Sequence, residues 1–143
     1  MRVFTIGYEG ATQAEVVSAL SGAGVEVLAD IRAVPLSRRP GFSKNVLAAG
    51  LREAGIDYLG LKALGTPPEG REAARRHDHQ RLAAVYAGQL ELPEALMQMA
   101  HLRALAAERS TVLLCFEREP HACHRSLLAR AALPEAEVVH LYA

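Results

Sequence analysis

Nine of the chain's fourteen Val and Ile residues fall in five short segments, and helix-like patterns fill the gaps between them. The nine are Val3 and Ile6; Val25, Val27 and Ile31; Ile56; Val112; and Val138 and Val139. β-branched side chains suit a pleated strand better than a helix. Strands are therefore predicted near 2–7, 25–31, 56–60, 111–116 and 137–141. Residues 12–22 open with Thr12 and Glu15, the spacing of a capping box, and stop at Gly22 and Gly24. Residues 43–54 place Val46, Leu47 and Leu51 on one face and end at Gly55. Helices are also predicted over 71–88, over 93–109 from Pro93, and over 123–132. The order β-α-β-α-β-(αα)-β-α-β predicts an α/β fold. It is an open, mostly parallel sheet of about five strands with helices on both faces.

The chain has 143 residues, which predicts a single domain over 1–143. Lys+Arg and Asp+Glu are both 16, so a protein that coats nucleic acid through bulk charge is excluded and any anion site must be local. No apolar run is long enough to span a membrane, and the opening MRVFTIGYEG lacks the apolar stretch of a signal peptide. Two cysteines make no secreted disulfide framework. The chain is read as cytoplasmic, with Cys115 and Cys123 both reduced.

In a parallel sheet, ligands bind beyond the carboxyl ends of the strands. The chain's most chemically loaded residues fall at such ends: Tyr8 after the first strand; Asp30, Arg32, Ser37, Arg38 and Arg39 after the second; Glu117, Cys123, His124 and Arg125 after the fourth. The 32–44 loop carries Arg32, Arg38, Arg39 and Lys44 with no acid, and runs into a helix start at Ser43. That pattern suits a phosphate, whose oxygens match arginine forks, with Phe42 available to stack on a base. The plainer reading is a solvated loop with Arg32 paired to Asp30 or another rim carboxylate.

Cys123-His124-Arg125 sits near the start of the last helix, where the helix dipole and nearby cations favour a thiolate. Cys123 is a candidate nucleophile, His124 and Glu117 candidate acid–base groups, and Asp30 a candidate carboxylate partner for Glu117. Adjacent helical residues point about 100° apart, so Cys123 and His124 share a substrate only if the turn is irregular. The plainer reading is a buried Cys, a capping His and a surface Arg. Cys115, inside a strand, reads as a small buried hydrophobe. No metal is expected: C-x2-C, H-x3-H and H-E-x-x-H are all absent, and His77 and His79 would point to different helix faces. No cofactor is expected either. The polar 66–81 segment reads as a flap over the rim or a solvated helix.

Several ordered motifs carry a resemblance. They are T-I-G-Y at 5–8, D-I-R-A-V-P-L-S-R at 30–38, P-G-F-S-K at 40–44, G-I-D-Y at 55–58, L-G at 64–65, L-L-C-F-E at 113–117 and C-H-R at 123–125. Together they resemble domain of unknown function 488, a group of small bacterial and archaeal α/β proteins. The resemblance implies the same fold. It points to Tyr8, Asp30, Arg32, Ser37, Arg38, Glu117, Cys123, His124 and Arg125 as family-pattern residues. It supplies no particular activity, beyond a suggestion that some relatives act in nucleic-acid metabolism.

Three functions compete. The first is an enzyme on a phosphate-bearing substrate, a nucleotide or nucleic acid, held by Tyr8, Arg32, Ser37, Arg38 and Arg125. Glu117, His124 or Asp30 would move protons there. The second is thiol chemistry at Cys123, resembling rhodanese or a cysteine phosphatase, although the five-residue Cys-to-Arg spacing of the phosphatases is absent. The third is a non-catalytic module binding a small anion, a nucleotide, a nucleic acid or a protein.

Overall fold

The computed structural model describes residues 1–143. Five strands form one all-parallel sheet: β1 (Arg2–Gly7), β2 (Val27–Asp30), β3 (Asp57–Gly60), β4 (Thr111–Cys115) and β5 (Glu137–Leu141), in the spatial order β3-β2-β4-β1-β5. Six helices connect them: α1 (Gln13–Gly22), α2 (Lys44–Glu53), α3 (Pro68–Arg75), α4 (His79–Gln89), α5 (Pro93–Glu108) and α6 (Arg125–Ala132). The predicted α/β architecture is the observed one. None of the helices is long and apolar enough to cross a membrane.

Strand alternation sorts the core into two halves. Phe4, Ile6, Leu28, Val112 and Leu114 face α1 and α2, where they meet Val16, Leu20, Leu47 and Leu51. Val3, Ala29, Ile31, Leu113 and Cys115 face the other side, against Leu64, Tyr86, Leu102 and Leu128. The capping box at α1 forms as expected: Thr12 Oγ1 accepts the Glu15 N–H at 3.1 Å, and Glu15 Oε1 accepts the Thr12 N–H at 2.8 Å.

The 71–88 helix is two helices instead. His77 takes a left-handed backbone (φ 57°), and the Asp78 side chain accepts the Arg81 N–H at 3.1 Å to start α4. A polar Arg-rich stretch carries no apolar stripe that would reveal this break. The 123–132 helix begins two residues late, at Arg125.

The chain runs from β1 to β2 to β3 with α1 and α2 on one face, and later returns to place β4 between β2 and β1. The helix after β4, α6, packs on the opposite face. Connections leaving neighbouring strands therefore diverge at the carboxyl ends of β1, β2 and β4, and divergence of that kind opens a crevice. Close approach at its floor requires Gly7. A Cβ there would overlap the carbonyl of Glu117. Gly7→Ala is expected to cost about 1–3 kcal/mol through overpacking and to displace Glu117. Thermal denaturation checks this; an unchanged melting temperature would contradict the contact.

Candidate functional site

The crevice holds a cavity of about 140 Å³. Tyr8, Arg32, Cys115, Glu117, Cys123 and His124 line it, with Thr66 and Arg71 from the α3 side. Segments after β1, β2 and β4 thus meet around one space, and the 66–81 segment forms a wall of it. A volume this small suits a few-atom ligand or one end of a larger one.

Asp30 and Arg32 form a buried pair. Arg32 Nε donates to Asp30 Oδ1 at 2.8 Å and its NH2 to Oδ2 at 2.7 Å. The Arg32 N–H also reaches Oδ1 at 3.2 Å, and the Tyr58 hydroxyl donates to Oδ2 at 2.5 Å. Arg32 NH1 donates to the Phe42 carbonyl at 2.7 Å and to the Tyr8 hydroxyl at 3.2 Å. Burial works against the Arg32 charge, but Asp30 more than offsets this and holds its pKa above the usual value. Burial and the Asp30 carboxylate both push the Tyr58 phenol up. Asp30, expected to move protons, has both oxygens engaged, and Arg32, expected to hold an anion, spends its donors within the fold. Asp30 shares the strand face of Leu28, opposite that of Cys115, and no hydrogen bond joins it to Glu117.

The basic 32–44 loop disperses. Arg39 Nε donates to the Ala11 carbonyl, while Arg38 and Lys44 are exposed and outside the cavity lining. Ser37 is tied to Ser43: its N–H donates to Ser43 Oγ at 3.1 Å, and that hydroxyl donates back to the Ser37 carbonyl at 3.2 Å. Ser43 makes no side-chain cap at α2. Phe42, expected to be free for a base, is fully buried and stacks on Tyr8 with ring centroids 4.4 Å apart.

The fourth-strand segment converges. Cys123 has an extended backbone just before α6, and His124 caps the helix without a side-chain bond. This irregular turn lets both line the cavity. It also swings Cys123 back onto the end of β4, where it is paired with Cys115 as a disulfide across a Cα–Cα span of 7.4 Å. The expectation of two reduced thiols is corrected accordingly. Two cysteines eight residues apart meet because a strand end and a helix start are stacked in space, which spacing alone did not reveal.

Arg125 organises this corner from within the core. It is fully buried. Its NH1 donates to Cys123 Sγ at 3.2 Å, to Cys115 Sγ at 3.3 Å and to the Glu117 carbonyl. Its NH2 donates to the Arg118 carbonyl at 2.8 Å and its Nε to Thr5 Oγ1 at 3.1 Å. Burial lowers its pKa to about 10, against the pull of Glu117. Expected to bind substrate, it instead aims its charge at sulfur. Glu117 Oε2 lies 3.6 Å from Cys115 Sγ, and burial pushes its carboxyl up while Arg125 pulls it down. His124 Nε2 lies 2.8 Å from the Ile31 carbonyl. A carbonyl only accepts, so Nε2 carries the proton. Burial, reinforced by Arg125, lowers this imidazole to about 4 even though the Ile31 bond opposes the shift. It is neutral near pH 7.

Sequence reasoning missed Cys115, Thr66 and Arg71. Cys115 carried a usable signal, since it shares strand parity with Leu113 and ends its strand at the rim. Arg71 carried none within its Arg-rich helix. No curated protein and no solved structure matches the chain. The profile of the family described as "Domain of unknown function DUF488" matches residues 12–132, and the chain belongs to that family.

Proposed function

We propose that the chain is a thiol enzyme that exchanges disulfides with a small thiol substrate in the rim cavity. One observation carries this reading: a cysteine pair lines the cavity while a buried arginine donates to both sulfurs. A hydrogen-bonded cation stabilises a thiolate, both as leaving group and as product. Of the three arginines expected to hold phosphate, Arg32 and Arg125 spend their donors within the fold and Arg38 lies outside the cavity lining, which counts against the phosphate reading in this cavity.

The step balances as follows. A substrate thiolate attacks Cys123 Sγ, the bond to Cys115 breaks, and Cys115 leaves as a thiolate held by Arg125. A second substrate thiol then attacks the mixed disulfide and frees Cys123. The substrate gains one disulfide and the protein becomes a dithiol. A second disulfide compound, run through the same steps in reverse, restores the pair. Glu117, beside Cys115, is placed to take up and return its proton.

Cys115→Ser is expected to trap a mixed disulfide at Cys123, seen by mass spectrometry, and Cys123→Ser to abolish exchange. Glu117→Gln should slow it by about 10²-fold, the usual size of an acid–base contribution. If Cys123 in the reduced protein is alkylated no faster than an ordinary thiol, the reading falls.

A second reading keeps the phosphate-bearing substrate. A separate cavity of about 490 Å³ borders the other side of Cys123 and is lined by His79, His121, His140, Ser126 and Arg130. Thermal shift with phosphate and nucleotides tests it, because a ligand of the folded state raises the melting temperature. His121→Ala and Arg130→Ala should erase that shift.

A further inference from the structure

We propose that the reduced chain binds one zinc ion through Cys115 Sγ, Cys123 Sγ and His124 Nδ1, with the fourth position open to the rim cavity. The proposal uses the dithiol through which exchange would pass, but not the exchange itself.

The ligand-capable atoms of these three residues all lie within 4.8 Å of one another, and all three residues are buried. A tetrahedral zinc site with Zn–S bonds of about 2.3 Å sets two thiolates roughly 3.8 Å apart. Opening the S–S bond lets the sulfurs spread to that separation.

His124 is already oriented as a ligand. Its Nε2–H is fixed on the Ile31 carbonyl, which leaves the Nδ1 lone pair unprotonated. A backbone carbonyl on the far nitrogen is the usual outer partner of a metal-bound imidazole. Arg125 NH1, donating to both sulfurs, is an outer partner of the thiolates. Two thiolates also cancel the charge of a dication.

The donor set selects the metal. Two thiolates and an imidazole suit zinc over magnesium or calcium. Three protein ligands and a fourth position facing a cavity make an open site and not a closed structural one. Binding must release the thiol protons.

The test uses the full chain, reduced, metal-free and kept under inert gas. Titration with Co²⁺ should give a thiolate-to-cobalt charge-transfer band that saturates at one equivalent, and Zn²⁺ should abolish it. Zinc addition should release about two protons per ion at a pH where both thiols are protonated. Cys115→Ser and Cys123→Ser should lose the band, and His124→Gln should weaken binding at least tenfold. The oxidised chain should bind nothing, and His77→Gln with His101→Gln, both exposed and outside either cavity, should leave the cobalt band unchanged. No band in a reduced chain that is folded by circular dichroism would overturn the proposal. So would binding that survives the double Cys→Ser variant. Should reduction unfold the chain, refolding with Zn²⁺ but not Mg²⁺ supports the site, and no refolding overturns it. A chain that binds cobalt but exchanges no disulfides would end the exchange reading alone; exchange without the band would end only this one.

Discussion

Asp30→Ala is expected to lower folding stability by about 3–5 kcal/mol, the range for removing one partner of a buried ion pair. The arithmetic follows from what the carboxylate satisfies. It takes two charge-assisted bonds from Arg32, one from the Arg32 backbone and one from the Tyr58 hydroxyl. Without it the Arg32 guanidinium stays buried with only the Phe42 carbonyl and the Tyr8 hydroxyl for partners. An uncompensated buried charge costs far more than the pair is worth in net terms. The double variant Asp30→Ala/Arg32→Met should therefore recover much of the loss. Chemical denaturation of the two variants and the parent checks both statements. A single variant within about 1 kcal/mol of the parent would contradict this account of Asp30.

The second large effect is a pH dependence. In the disulfide form, His124 titrates at about 4 in the folded state against a reference of 6.5. Between those values the unfolded chain binds the extra proton. Stability is therefore greatest above about pH 6.5 and falls as pH drops towards 4, by up to about 3 kcal/mol for a shift of this size. His140, also lowered by burial, acts in the same direction, and it is more exposed. Glu117 acts in the opposite direction, because its carboxyl is pushed up by burial and the folded state holds its proton to higher pH. His124→Gln separates the terms: the amide can still donate to the Ile31 carbonyl but does not titrate. Its stability curve should lack most of the fall between pH 6.5 and 4. Parallel curves for parent and variant would refute the assignment.

The sheet was legible in the sequence because β-branched residues mark strands and connection rules restrict their order. Val3, Val27 and Val112 already announced the strands that carry the rim, and the convergence of Tyr8, Arg32, Glu117 and His124 followed from a parallel arrangement alone. The partners of those residues were legible only in part. A basic loop looks the same whether its arginines face solvent or a neighbour two residues away, so Arg32 was read both as an anion ligand and as the partner of Asp30, and the structure shows the pairing. The cysteine pair was hidden for a related reason. Cys115 reads as a core residue, and only the irregular turn before α6 brings Cys123 onto it. The break at His77 was invisible because the polar stretch around it carries no periodic signal, and the buried positions of the second helix, Leu82 and Tyr86, begin only after it.

The insertion of β4 between β1 and β2 has a consequence for biosynthesis. The first sixty or so residues hold three of the five strands, yet β1 and β2 never pair with each other. Each waits for residues 111–115 before its inner edge is filled. A ribosome-bound chain of that length leaves both edges of β1 and the inner edge of β2 open, with half-covered apolar faces, the state most prone to sticking to other chains. Closure must come late, after α5 is made, with the outer edge of β1 filled only by residues 137–141, and the cysteine pair at the end of β4 cannot meet before α5 is made.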